Sequence, residues 1–200
     1  MQKASKGQFG YFRYERIRRL LITIITVLLP ATIFVAGIIA YGTEKNLLTV
    51  IALVLVIPFA MAFVSLIMVC THSSIPEDVH REIEEHAGSL TMAYELYVTH
   101  ETASTMVDAF AICGNTVVGL VTEKKGDPKF TADYIKKVLR SNGIGANVSL
   151  MTDRKHFLER LDSMNEHSES LRDVKFKPDS RYPDYDLEQT IWIFLTQISL

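Results

Sequence analysis

The chain has 200 residues, 48% of them apolar and 22% charged, and its formal charge of −2 is unevenly spread. Residues 1–19 carry six bases and one acid, whereas residues 71–200 carry 14 bases and 21 acids. So acidic a body is repelled by phosphate backbones, which weighs against nucleic acid as an expected partner. The two cysteines, Cys70 and Cys113, have no CxxC spacing, which excludes a disulfide framework and a thiolate metal centre.

In chain order, residues 1–19 interleave Lys3, Lys6, Arg13, Arg16, Arg18 and Arg19 with Phe9, Tyr11, Phe12 and Tyr14. Bases and aromatics just ahead of an apolar run are what an interfacial arm on an anionic leaflet requires. Two runs without a single Asp, Glu, Lys, Arg or His follow, Leu20–Tyr41 and Leu47–Cys70. A helix needs roughly 20 apolar residues to span a bilayer, and neither run has the polar face of a soluble helix. A transmembrane hairpin over residues 20–70 is expected. Six bases before the first run against one in the connector Gly42–Asn46 set its direction. The connector lies outside, and both termini lie in the cytoplasm. A cleaved signal peptide would have a shorter apolar region and a small-residue cleavage site, which this run lacks. Pro30 and Pro58 fall at comparable depth, where each removes a helix hydrogen bond and permits a kink. Ala36, Gly37 and Ala40 make a small-residue patch suited to close helix packing. No intramembrane charge marks an ion path. Both cysteines are expected as free thiols.

Residues 71–164 read as a cytoplasmic α/β domain. Ser74 with Glu77 has the spacing of a capping box, opening a helix that Gly88 ends. His80 and His86, six apart, do not share a helix face and are expected in solvent. Met92–His100, Val107–Gly114 and Thr116–Glu123 read as strands, the last two joined at Gly114-Asn115. A helix capped by Asp127 or Thr131 and ended by Gly143, a strand Asn147–Met151, and a helix carrying Phe157, Leu158, Leu161 and Met164 complete the series. Residues 165–183 are charged, poor in apolar side chains, and read as a flexible linker. Residues 184–200 read as an amphipathic helix, with Leu187, Ile191, Phe194, Leu195 and Ile198 on one stripe.

The order αβββαβα from Ser74 to Met164 resembles the core of the PD-(D/E)xK, restriction-endonuclease-like superfamily. That family places an Asp on its second core strand and an E-x-K at the end of its third. Here Asp108 opens the second strand and Glu123-Lys124-Lys125 closes the third. The resemblance implies that Asp108 and Glu123 hold a divalent cation, Mg²⁺ or Mn²⁺, and that Lys125 positions or activates the attacking water. Two carboxylates on adjacent antiparallel strands can converge on one hard cation. No GxxxxGK[ST], HExxH, GxSxG or dinucleotide glycine motif is present.

The layout looks like that of small two-span bacterial inner-membrane proteins. The expected function is therefore a hairpin in the lipid bilayer that tethers an interaction or self-association domain, without cofactor or catalysis. Its expected partners are another protein or a second copy. The alternative is a membrane-anchored, metal-dependent nuclease built on Asp108, Glu123 and Lys125.

Overall fold

The two apolar runs fold as uninterrupted helices, α1 (Tyr11–Tyr41) and α2 (Leu47–Cys70). In this computed structural model, residues 4–99, 104–122, 126–174, 176 and 183–199 are described. They make two compact units, Phe12–Ser73 and a soluble unit of Ala4–Tyr11 with Ser74–Leu200. Both prolines sit inside continuous helix, Pro30 buried and Pro58 exposed. Buried Thr23, Pro30 and Gly37 recur every seven residues, which makes one seam along α1. At one end of that seam, Thr23 Oγ1 donates to Arg19 O (2.8 Å) and reaches Ala62 O of α2 (3.4 Å). At the other end a Cβ on Gly37 would lie 2.8 Å from Asn46 Oδ1. Glycine there lets the connector fold against the helix. Asn46 in turn caps α2, its Oδ1 accepting from Thr49 N (2.9 Å).

The soluble unit continues with α3 (Glu77–Ala87), β1 (Thr91–Thr99), β2 (Ser104–Cys113), β3 (Thr116–Leu120), α4 (Pro128–Ser141), β4 (Asn147–Met151), α5 (Arg154–Glu166), α6 (Ser168–Arg172) and α7 (Leu187–Gln197). The sheet has order β1-β2-β3-β4, with β1–β2 and β2–β3 antiparallel and β3–β4 parallel. The hairpin turn is Gly114-Asn115, with Gly114 at φ +55°. α4 is the crossover that a parallel pair requires. Apolar residues cover both faces. Ile135 and Leu139 of α4 and Ile191, Phe194 and Leu195 of α7 pack with Leu96, Val98, Phe110, Ile112 and Val117. Ile83 of α3 and Phe157, Leu161 and Met164 of α5 pack with Tyr94, Ala111, Val118 and Leu120. All five residues of β3 are buried, as a central strand covered on both faces should be.

Several expectations need correcting. The basic arm is split: α1 already begins at Tyr11, and residues 4–10 lie along β1 instead. Tyr94 N donates to Gly7 O (2.8 Å), Lys6 Nζ donates to Ser199 O, and the Phe9 ring stacks on His80 with centroids 3.8 Å apart. The open edge of β1 has unpaired backbone groups, and this segment satisfies some of them. His80 is therefore half-buried rather than solvated. His86 Nδ1 meets Asp162 Oδ1 at 2.7 Å. The Ser74 capping box does not form, because α3 begins after Pro76; Ser74 Oγ donates to Glu95 instead.

The linker is largely structured where it is described. α5 runs through Glu166 and α6 follows at once; residues 177–182 lie outside the described residues. Asn165 explains the continuity. Its Oδ1 accepts from Ser89 N (3.0 Å), and its Nδ2 donates to His86 O (2.8 Å), Ala87 O (3.3 Å) and Leu161 O (3.2 Å). It closes the end of α3 from α5. Replacing it should cost more than an ordinary surface change, about 2 kcal/mol for Asn165→Ala, since carbonyls and an amide lose their partner. Chemical denaturation of the full chain in detergent measures this; wild-type stability would show that the α3–α5 join is not formed.

Candidate functional site

Asp108 does not open β2: the strand begins four residues earlier, at Ser104, and Asp108 sits in its middle. The ladder pairs Tyr94 with Ala109 and Leu96 with Val107, so Glu95 and Asp108 face each other across a pair that the ladder skips. Glu95 has φ +54°, the one positive value among the described non-glycine residues. That conformation is rare for a side chain of this size, and sites of this kind are held by their surroundings. Glu95 is fully buried and accepts from Ser74 Oγ (2.5 Å) and Ile75 N (3.2 Å). Its carboxylate fixes the start of the segment leading into α3.

Asp108 Oδ2 accepts from Thr122 N at 2.7 Å, which brings its carboxylate to the end of β3. The expected partners Glu123 and Lys125 lie outside the described residues. Among the described residues no three His, Cys, Asp or Glu side chains group closely enough to hold a metal ion. The described residues alone do not make up the metal centre that the resemblance implies.

A different cluster dominates the soluble unit, and it was not visible in the sequence. Glu188, in the first turn of α7, is 8% exposed. Its Oε1 accepts from Gly114 N (2.9 Å) in the β2–β3 turn and from Arg172 Nε (2.8 Å) at the end of α6. Its Oε2 accepts from Thr91 Oγ1 (2.7 Å) at the start of β1. Arg172 Nη2 also donates to Ser89 O (2.6 Å). α7 enters this site in fixed register because Asp186 and Gln189 form a capping box. Beside the cluster lies a cleft of about 560 Å³ with Val174, Phe176, Tyr185 and Leu187 on its walls.

The electrostatics follow from the geometry. Burial alone would raise the Glu188 carboxyl, but the bonds from Arg172, Gly114 N and Thr91 outweigh it and hold it below the ordinary carboxylate range. The bond to Glu188 raises the Arg172 guanidinium. Burial, and then the Glu188 charge, push the Cys113 thiol up. Cys113 stays a thiol with its Sγ toward Ser168 O at 3.8 Å, and a thiol is a poor nucleophile. The cleft therefore has a preorganised polar floor and apolar walls, features of a binding surface. No family model matches the chain, and no curated protein or solved structure matches it either.

The cluster sets a pH dependence. A carboxyl held lower in the folded chain than in the unfolded one stabilises the fold above its unfolded pKa, about 4.3 for Glu. That contribution is lost as pH falls through the folded value. Glu188→Gln should flatten the acid limb of the stability profile below about pH 4.3. It should also cost about 2 kcal/mol at neutral pH, less than a fully buried pair because the Arg172 side chain is 42% exposed. Unfolding midpoints across pH measure both effects; an acid limb as steep as wild type would exclude this role for Glu188.

Proposed function

We propose that the chain is a two-span inner-membrane protein whose hairpin tethers the α/β unit to the cytoplasmic face. There the unit binds a protein partner or a second copy of itself. One observation carries the membrane part. Over their most apolar stretches only 17% of α1 and 6% of α2 are buried, and Ile25, Leu28, Val35, Ile39, Leu53, Ile57, Met61 and Val64 are all exposed. An apolar surface this extensive needs a covering, and a bilayer supplies one at the right length. Twenty-two residues from Leu20 to Tyr41 make a helix of about 33 Å, against about 30 Å of hydrocarbon. Direction follows from the six basic residues ahead of the apolar run of α1. The interaction role is supported by the cleft beside Glu188, whose walls offer apolar and aromatic surface.

The topology is open to direct labelling. In a Cys70→Ser background, Gly42→Cys should react with a membrane-impermeant thiol reagent in intact cells. Lys155→Cys, on a side chain 84% exposed in α5, should react only after lysis. Labelling in the opposite order would place the soluble unit outside.

The bond between Asp108 and Thr122 N supports a second reading, the metal-dependent nuclease, because it holds the Asp108 carboxylate at the chain just past β3. On that reading Mg²⁺ or Mn²⁺ at a hundredfold excess over its Kd stabilises the full chain by about 2.7 kcal/mol. Asp108→Ala then loses both this shift and any cleavage of DNA or RNA. On the interaction reading the ions leave the melting temperature unchanged. The expected outcome is no shift, and a metal-dependent shift lost in Asp108→Ala would replace the interaction reading by the nuclease.

A further inference from the structure

We infer that the hairpin carries a seat for the phosphate of an anionic phospholipid, built from Arg18 and Arg19 of α1 and Ser65 of α2. The inference rests on the reading of α1 and α2 as membrane spans. Between the two helices lies a cavity of about 250 Å³ lined by Glu15, Arg18, Arg19, Ile22, Ala62 and Ser65. Its position along the hairpin is the first argument. Arg19 is the last charged residue before the apolar run of α1, while Ile22 and Ala62 belong to the apolar runs themselves. The cavity therefore straddles the level at which charge gives way to hydrocarbon-compatible surface, the depth of lipid phosphates.

Its polar wall is fixed in place. Glu15, 5% exposed, accepts from Arg18 Nη1 (3.1 Å) and Arg19 Nε (2.9 Å). Arg19 Nη1 donates to Ser65 Oγ and to Ser65 O (3.3 Å). One carboxylate against two guanidiniums leaves the cluster at +1. The side chains of Arg18 and Arg19 keep 57% and 30% of their surface exposed. Guanidinium forks are well matched to phosphate oxygens, and Glu15 holds these two so that little ordering is left for a ligand to impose. Basic pockets between spans at the cytoplasmic side suit anionic headgroups. A free phosphate offers the same oxygens, but it would leave the Ile22 and Ala62 wall uncovered. A lipid covers that wall with the first carbons of its acyl chains.

Thermal unfolding of the purified full chain in a neutral detergent tests the seat, with phosphatidylglycerol, phosphatidylcholine or inorganic phosphate added. Phosphatidylglycerol should raise the midpoint by about 5 °C or more at about a hundredfold excess over its Kd; the other two should not. The Arg18→Ala/Arg19→Ala double variant should lose the shift. Ala62→Leu, which fills the cavity and keeps both arginines, should lose it as well. Arg13→Ala, which removes a charge outside the cavity, should keep it. If the double variant does not fold, the Ala62→Leu and Arg13→Ala results decide. A shift kept in Ala62→Leu, or lost equally in Arg13→Ala, would show that lipid senses only the overall charge of the basic end. An equal shift with phosphate would overturn the lipid assignment, and an equal shift with phosphatidylcholine would overturn the anion. The hairpin reading fails separately: a chain released from membranes by alkaline carbonate is not a spanning protein, whatever its lipid preference.

Discussion

Four stretches of the soluble unit meet at one carboxylate. Glu188 draws in Thr91 from β1, Gly114 from the β2–β3 turn and Arg172 from α6, while it belongs to α7 itself. Removing a carboxylate from water costs several kcal/mol unless hydrogen bonds and a countercharge replace the solvent, and here both do. The consequence is positional. Ile191, Phe194 and Leu195 follow Glu188 by three, six and seven residues, so fixing the carboxylate also fixes which face of α7 meets the sheet. The turn is equally constrained: a Cβ on Gly114 would lie 1.8 Å from Leu171 O, so α6 can approach only because that residue is glycine.

Much of the architecture was legible because it rests on local signals. Apolar runs without charge, the β-branched stretch TVVGL, the Gly114-Asn115 turn and the Asp127 cap each declare themselves within a few residues. The candidate site was not legible, for the opposite reason. Glu188, Arg172 and Asn165 are ordinary polar residues in polar surroundings, and their partners lie far along the chain. Thr91 is 97 residues from Glu188, and Ser89 is 76 from Asn165. Nothing in the composition around Asn165 and Arg172 distinguishes a solvated linker from residues tied down by those two side chains. Ser74 shows the same limit in reverse: its spacing to Glu77 is that of a cap, but Pro76 takes the cap position and the Ser74 hydroxyl donates to the buried Glu95 carboxylate. Of the residues singled out by resemblance, only Asp108 can be placed; it is mid-strand and tied to Thr122.

The hairpin obeys a different economy from the soluble unit. On the proposed reading as membrane spans, its helices have no hydrophobic force between them in lipid, and their cohesion must come from close packing and from polar groups at the ends. The seven-residue recurrence of Thr23, Pro30 and Gly37 supplies the first, and the Glu15–Arg19–Ser65 chain supplies the second. The second helix contributes little polarity of its own, which makes the arginines of α1 the fixed points against which α2 is registered.

The pairing of Gly7 with Tyr94 gives the chain an unusual order of parts. Residues on either side of the hairpin belong to one folded unit, so the hairpin is an insertion within that unit rather than a leader in front of it. A fragment starting at Ser74 would lack the strip that covers the margin of β1 and would leave the faces of His80 and Trp192 bare where Phe9 and Gly7 now lie. Such a bare margin is a template for pairing with a neighbouring chain. Excision of the soluble part therefore calls for a graft: residues 4–11 have to be carried with it, rejoined by a short tether in place of the two helices.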